Sequence, residues 1–312
     1  METVSCNLCG SIYQEPLWEG KDWAYGSPGE FTMVRCTECG LIFLNPRPTL
    51  SEIGSYYPRD YEPYQQDISA MHSRWLALIR RAKLWPRVRL ILRLAQGGYL
   101  LDVGCASGGF IHELRQFESW HVQGVESNAE VACFARQQLG LDVFCGQLED
   151  ARFPSSFFDV VTMWDVLEHI HDPLTTVKEV CRILKPGGIF VCSTPNANSL
   201  DAKIFGRYWV GLDFPRHLYL FSPSTLAILF LKTGLKLERS FCFYGRYTTF
   251  ALSILLWLNA HVHYQRKQRA LLRSILLFPL FRYVTLPYFL LLDIFQRGAI
   301  ITALARKTVQ NA

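Results

Sequence analysis

Two Cys-x-x-Cys pairs stand near the start of the chain, Cys6 and Cys9 in CNLCG and Cys36 and Cys39 in CTECG. Each pair can set two thiolates on one metal ion, and two pairs complete a tetrahedron. Gly10 and Gly40, one after each pair, permit the tight turn that gathers the sulfurs. A segment this short cannot fold by apolar burial alone, so metal would supply its folding energy. Structural zinc is the expected occupant, because four thiolates leave no open coordination position for catalysis. Unrelated reduced thiols, or a redox pair, are the alternatives. The other six cysteines, Cys105, Cys133, Cys145, Cys181, Cys192 and Cys242, stand singly in apolar or strand-like settings and read as small buried hydrophobes.

A second constellation lies at mid-chain. YLLDVGCASGGF reads as a buried strand, a glycine-rich turn and a helix opening near Phe110. Gly104 lets the backbone turn sharply, and Gly108 and Gly109 let a ligand approach the main chain, with Ala106 and Ser107 between them. The helix N-terminus offers unpaired N–H groups to a carboxylate or phosphate. Alone, such a turn could serve NAD, FAD, a nucleotide or S-adenosylmethionine (SAM). Glu126, ending the next strand in HVQGVESN, is placed to bind a pair of ribose hydroxyls. Asp102 discriminates. A carboxylate there repels a pyrophosphate but attracts the ammonium of a methionine moiety. It could also cap the loop's own N–H groups.

These residues need a scaffold, and the pattern from Tyr99 to Phe243 provides one. Strands are expected at Tyr99–Val103, Val122–Glu126, Val143–Cys145, Phe158–Trp164, Ile189–Ser193 and Lys236–Phe243, with amphipathic helices between. One helix is well punctuated: Asp172 as N-cap, Pro173 in the first turn, and Leu174, Val177, Val180, Cys181 and Leu184 at helical spacing, stopped by KPGG. The alternation argues for an α/β fold, a parallel sheet with helices on both faces.

With these segments in order, the chain resembles the class I SAM-dependent methyltransferases. LDVGCASGGF is similar to their first motif, with Ala106 where the family usually has glycine. GVESN is similar to their ribose-binding strand end, GQLEDARFPSSFFDVVTMWDVLEHIHDP to their adenine-binding loop and fourth strand, and LKPGGIFVCSTPN to their fifth strand. The resemblance covers about Leu100 to Asn196. It implies a Rossmann-like, mostly parallel seven-stranded sheet with an antiparallel last strand. It also implies SAM contacts at Asp102, Gly104, Ala106, Ser107, Gly108 and Glu126, with Leu148 meeting the adenine through its backbone. Gln147 stands where the family often has Asp. Trp164 would flank the adenosine or fill the sheet end. The ends of the chain, CGLIFLNPRPT and DFPRHLYLFSPSTL, resemble methyltransferases of small-molecule and surface-polysaccharide pathways.

Methyl transfer from a sulfonium is an in-line displacement, so positioning and water exclusion dominate. A base is needed only for a hydroxyl or an acidic carbon. Candidates are Asp165, His169 and His171 after the fourth strand, and His217 with Tyr219 in PRHLYLF. His217 follows the fifth strand's C-terminal end, where ligands bind in open α/β sheets. It could instead anchor its own loop. Glu168 and His169 are expected to cap the following turn.

The expected organisation is a zinc ribbon at 1–45, a linker and basic helical segment at 46–97, and a SAM-binding core at 98–245. A hydrophobic helical insert at 246–297 and a last core strand and tail at 298–312 complete it. Pro46 and Pro48 stiffen the linker. Tyr56, Tyr57, Tyr61 and Tyr64 read as interdomain packing, with an active-site flap as the alternative, and the basic segment as helical with a break at Pro86. GAIITALARK reads as the last strand, and the resemblance implies that it pairs antiparallel with Lys236–Phe243. The insert between them contains FALSILLWL and SILLFPLFRYVTLPYFLLLDIF. The first run is too short to span a membrane, and the second carries Arg282, Pro279 and Pro287. An interfacial helical hairpin or a substrate lid is expected, with an ordinary packed subdomain as the alternative.

Charge is distributed unevenly along the 312 residues, whose formal net charge is +5. Residues 2–38 sum to −4, whereas 68–101 and 239–292 hold no acid at all. The basic segments suit an anionic surface or substrate. The expected activity is methyl transfer to oxygen or carbon of a small-molecule, sugar-nucleotide or lipid-linked acceptor, with peripheral contact at a membrane surface. An RNA methyltransferase gripping nucleic acid through its ribbon is the alternative. The acidic ribbon argues against it, since phosphate neutralisation needs Lys and Arg. A non-catalytic membrane scaffold with a vestigial SAM fold is a third reading. Met1 to Gly10 lacks an apolar signal core, so a cytoplasmic protein, peripheral at the inner face of the membrane, is expected.

Overall fold

The computed structural model describes residues 1–58, 74–262, 266–276 and 278–308. Tyr61 and Tyr64 lie outside them. The strands are β1 (Gln14–Gly20), β2 (Phe31–Cys36), β3 (Ile42–Leu44), β4 (Gly98–Val103), β5 (Trp120–Glu126), β6 (Val143–Cys145), β7 (Phe158–Trp164), β8 (Leu184–Pro195), β9 (Tyr219–Leu220), β10 (Leu235–Phe241) and β11 (Ile300–Lys307). The helices are α1 (Arg74–Leu94), α2 (Gly109–Leu114), α3 (Ala129–Leu139), α4 (Pro173–Ile183), α5 (Leu200–Phe205), α6 (Pro223–Lys232), α7 (Arg246–His261), α8 (Arg266–Leu276), α9 (Pro279–Val284) and α10 (Leu286–Ile294).

The main sheet has seven strands in the order β10-β11-β8-β7-β4-β5-β6. β4, β5, β6, β7 and β8 pair in parallel, and β11 runs antiparallel between β8 and β10. Period-two alternation sends neighbouring side chains to opposite faces. Leu100, Val160 and Val191 join Phe110 and Ile111 of α2 and Val88 and Ile91 of α1 on one face. Leu101, Val161 and Phe190 join Val177 and Val180 of α4 and Leu226 and Phe230 of α6 on the other. Chain order reverses between β4 and β7, which opens a crevice at their C-terminal ends.

The start of α4 is as the sequence predicts, since the Asp172 side chain accepts from Thr175 N–H and Pro173 opens the helix, but its end differs: the helix stops at Ile183, and Leu184 and KPGG lie in β8. Pro86 behaves differently, because α1 runs through it without a break. A proline inside a helix costs about 3 kcal/mol. Val88 and Ile91, both fully buried against the sheet, hold the helix together across it.

The N-terminal strands form a second sheet, ordered β1-β2-β3-β9. Its fourth strand comes from residues 219–220, so the sheet closes only when the core is present. Asn7 Nδ2 donates to Asp172, and Arg47 donates to the His171 carbonyl and the Tyr219 hydroxyl, stitching the two sheets together.

Among its described residues, the insert between β10 and β11 folds as four helices rather than one hairpin. α7 packs on the core through Phe250 against Phe205 and through the buried Ser253, whose hydroxyl accepts from Val210 N–H. No helix among the described residues is long and apolar enough to cross a membrane.

Candidate active site

The turn after β4 is shaped by backbone demands. Gly104 and Gly108 have φ of +71° and +82°, and a Cβ on Gly104 would lie 2.4 Å from Val166. Ala106 adopts φ +48°, tolerable for one residue at a modest cost in strain. Ser107 is buried beside it. A cleft opens next to the turn, walled by Val103, Gly104, Gln147, Leu148, Val166 and Ile170.

Two buried carboxylates, Asp102 and Glu126, stand next in sequence to its lining residues Val103, Val125 and Ser127. Asp102 Oδ1 accepts from the Thr162 hydroxyl at 2.6 Å, and Glu126 accepts from Ala106 N–H at 2.9 Å and Asn128 N–H at 2.8 Å. Burial pushes the Asp102 carboxyl up to about 7, against the opposing pull of Thr162 and the Arg87 charge. Burial also raises Glu126, against its N–H donors. A cationic ligand would relieve both groups. The glycine cradle, the buried acids and the adjacent cleft fit SAM. Gln147 is exposed at the cleft rim and Leu148 is buried in it. Trp164 is not among the cleft's walls; its ring meets Phe110 edge-on and lies beneath the Arg87 guanidinium.

The β7 end carries three candidate bases in different states. Asp165 has φ +59°, and its carboxylate accepts from three side chains. Arg87 Nη2 donates to it at 2.7 Å, the Tyr244 hydroxyl at 2.9 Å and the Ser193 hydroxyl at 3.0 Å. Arg87 also lies 4.8 Å from the centre of the Tyr244 ring. Neither Arg87 nor Tyr244 stood out in the sequence beyond the basic stretch that holds Arg87.

His169 Nδ1 faces the Arg216 carbonyl at 2.9 Å and the Tyr57 hydroxyl at 2.9 Å. His217 Nδ1 faces the Gly211 carbonyl at 2.8 Å. A carbonyl only accepts, so each Nδ1 carries the proton and each Nε2 keeps a lone pair. The two rings meet edge to face, 4.6 Å apart. Burial, with His217 alongside, pushes His169 down to about 3, and burial lowers His217 against the opposing charge of Asp213. Glu168 does not cap a turn. It is buried against both rings, and its carboxyl is pushed up first by burial and then by the Asp165 charge. His171 Nε2 meets the Pro48 carbonyl and serves the junction between the sheets.

At the other end of the same loop, the fully buried Arg216 donates to Asp22, to Asp213 and to the Tyr56 carbonyl. Tyr56 and Tyr57 thus pack between the two sheets.

The four N-terminal sulfurs converge. Cys6 and Cys39 lie 3.4 Å apart, Cys9 and Cys36 3.5 Å, and all four fall within 4.8 Å of one another. Gly10 and Gly40, at φ +76° and +77°, close the two turns through N–H bonds to the Cys6 and Cys36 carbonyls. The set can enclose one tetrahedral ion.

A methyltransferase-domain family model matches residues 72–240, more than half of the chain. The chain belongs to that family. Its core has the fold of the class I SAM-dependent methyltransferases. A ubiquinone biosynthesis O-methyltransferase of Cereibacter sphaeroides is 36% identical over 151 residues, 45% of this chain and 61% of that one. One from Maricaulis maris is 32% identical over 158 residues, 46% and 61%. The chain therefore spans about three-fifths of these curated relatives. Among solved structures, a candidate sarcosine dimethylglycine methyltransferase from Galdieria sulphuraria has a TM-score of 0.50 at 17% identity, over 73% of this chain and 86% of that one. A candidate methyltransferase from Bacillus halodurans has 0.50 at 19%, over 73% and 100%. These last two establish the methyltransferase fold alone.

Proposed function

We propose that this methyltransferase acts on a hydroxyl of a small-molecule acceptor and that His217 is its general base. SAM supplies, when bound, an electrophilic methyl group on a sulfonium. Asp102 would bind the cofactor's ammonium and Glu126 its ribose hydroxyls. Backbone groups of Gly104, Ala106, Ser107 and Gly108 would line its amino-acid end, and Gln147 and Leu148 its adenine.

The carrying observation is the imidazole pair. His217 stays neutral near pH 7, and its Nδ1 is held by Gly211, so Nε2 carries the lone pair that would take a hydroxyl proton. His169, pushed down to about 3, is too weak a base for that step and would orient its neighbour. Asp165 is committed to Arg87, Tyr244 and Ser193, which suits positioning rather than proton abstraction. The names of the curated relatives support an oxygen acceptor. The N-terminal thiols would hold zinc as a structural ion.

A methyl-label transfer screen over phenols, sugar nucleotides, lipid extracts and RNA tests this reading. Label on a small-molecule oxygen supports it. Label confined to RNA, or to nitrogen, overturns it.

A further inference from the structure

We infer that the insert of helices α7 to α10 docks this enzyme on the surface of an anionic lipid bilayer. It lies beyond the family match, which ends at residue 240, so the methyltransferase core does not account for it.

The first ground is an apolar surface left uncovered. α10 is apolar apart from Tyr288 and the half-buried Asp293, and only one side is packed. Phe289 and Leu292 are buried, with the Phe289 ring against Tyr247 and Phe250 of α7. Leu290, Leu291 and Ile294 project outward, Ile294 at 75% exposure. α9 continues the patch with Phe281 and Val284, the latter 69% exposed. Exposed apolar patches of this kind mark protein or membrane contacts.

Charge selects between those two. Residues 246–297 hold seven Lys and Arg against a single acid, Asp293. α8, RKQRALLRSIL, alternates basic and apolar residues at helical spacing, the pattern of a helix lying in a headgroup layer. Basic residues beside an apolar face complement anionic headgroups. No described helix can span the bilayer, so the contact is interfacial.

The insert is also rooted at the active site. α7 starts two residues after Tyr244, whose hydroxyl holds Asp165. Docking would thus bring the acceptor side of the sheet close to the lipid surface. The inference does not depend on which acceptor is methylated.

Flotation of the full chain with phosphatidylcholine vesicles, with and without phosphatidylglycerol, tests it. The protein should float with the anionic vesicles and detach as salt rises. A triple variant, Val284→Asp with Leu291→Asp and Ile294→Asp, alters only exposed positions. It should keep its melting temperature and SAM affinity and lose about a hundredfold or more in partitioning. No flotation by the wild type, or equal flotation by the triple variant, overturns the inference. So does a wild-type dimer that the triple variant converts to monomer, since a second copy would then be the occupant.

Discussion

Arg216 donates from Nη1 and Nη2 to the two carboxylate oxygens of Asp22, at 2.9 and 2.8 Å, across 194 positions of sequence. Both side chains are fully buried. His217 is the next residue, so a buried ion pair ties the loop that presents the candidate base to the β1–β2 loop, beside its strand pairing with β3. Leu218 N–H also bonds the Glu168 carbonyl, which fixes the loop against the other histidine.

Asp22→Asn leaves a buried guanidinium short of charge, which costs about 3–5 kcal/mol when a buried pair is broken. Burial alone would raise the Asp22 carboxyl, but Arg216 and the loop N–H groups bring it down to about 2, from 3.8. A depressed acid stabilises the fold above its unfolded value and loses that contribution as pH falls. Between pH ~4 and ~2 the wild type should lose about 2 kcal/mol that the variant never had. Acid unfolding followed by circular dichroism measures the difference. Parallel acid curves for the two proteins would rule out this linkage.

The thiol cluster should act through the same junction. Asn7, between Cys6 and Cys9, accepts from Leu174 N–H at the start of α4 and donates to its N-cap, Asp172. Metal analysis should return one zinc per chain. Chelation under reducing conditions, or Cys9→Ser, should lower the melting temperature and slow methyl transfer while SAM affinity falls little. Intact stability after complete zinc removal would show that the thiols need no metal.

Asp102 predicts how cofactor binding depends on pH. Its folded value of about 7 lies above the ordinary 3.8, so the free protein holds an extra proton through that window. Its ionisation destabilises the unliganded fold as pH rises from about 4 to 7, yet the ionised form is the one a cation binds. SAM affinity, read by calorimetry, should fall up to about tenfold per unit as pH drops below 7. Asp102→Asn should stabilise the unliganded protein, bind SAM weakly and show a flat profile. A sloping profile in the variant would assign the proton to another group.

His217→Asn should lower kcat about 10²- to 10⁴-fold and leave the SAM dissociation constant alone. The wild-type rate should fall on the acid side below pH 6.5, because His217 is shifted down from that value. His169→Asn should have the smaller effect on kcat. Equal losses at both positions would mean that the pair acts as a unit.

The parts of this site that a reader of the sequence can find are those set by local backbone demand. Gly104 and Gly108 need positive φ, Asp102 and Glu126 end consecutive parallel strands, and the cysteines announce their own spacing. Alternation marks the strands and the parallel sheet, and the family resemblance marks the antiparallel β11, whereas the order in which the strands pair comes from the structure. Other partnerships are created by folding. Asp165 meets Arg87 across 78 positions and Tyr244 across 79, and no periodicity marks either. The basic run around Arg87 reads as a surface patch, yet that residue turns inward over Trp164. β9 is two residues long, too short to register as a strand.

Arg87 gives the sharpest test of how these distant residues couple to the cofactor site. Its guanidinium holds Asp165, stacks between Trp164 and Tyr244, and exerts a charge that opposes the rise of the Asp102 carboxyl. Arg87→Gln removes that charge. Asp102 should then hold its proton to higher pH, moving the midpoint of SAM binding above 7. Asp165, kept at φ +59° by its ring of donors, should lose its fixed place as well, which would appear as a raised KM for the acceptor. Tyr244→Phe removes a donor to Asp165 but no charge. It should therefore raise the acceptor KM while the pH midpoint for SAM stays where it is. If both variants move the midpoint equally, the coupling runs through packing at Trp164 and not through the Arg87 charge.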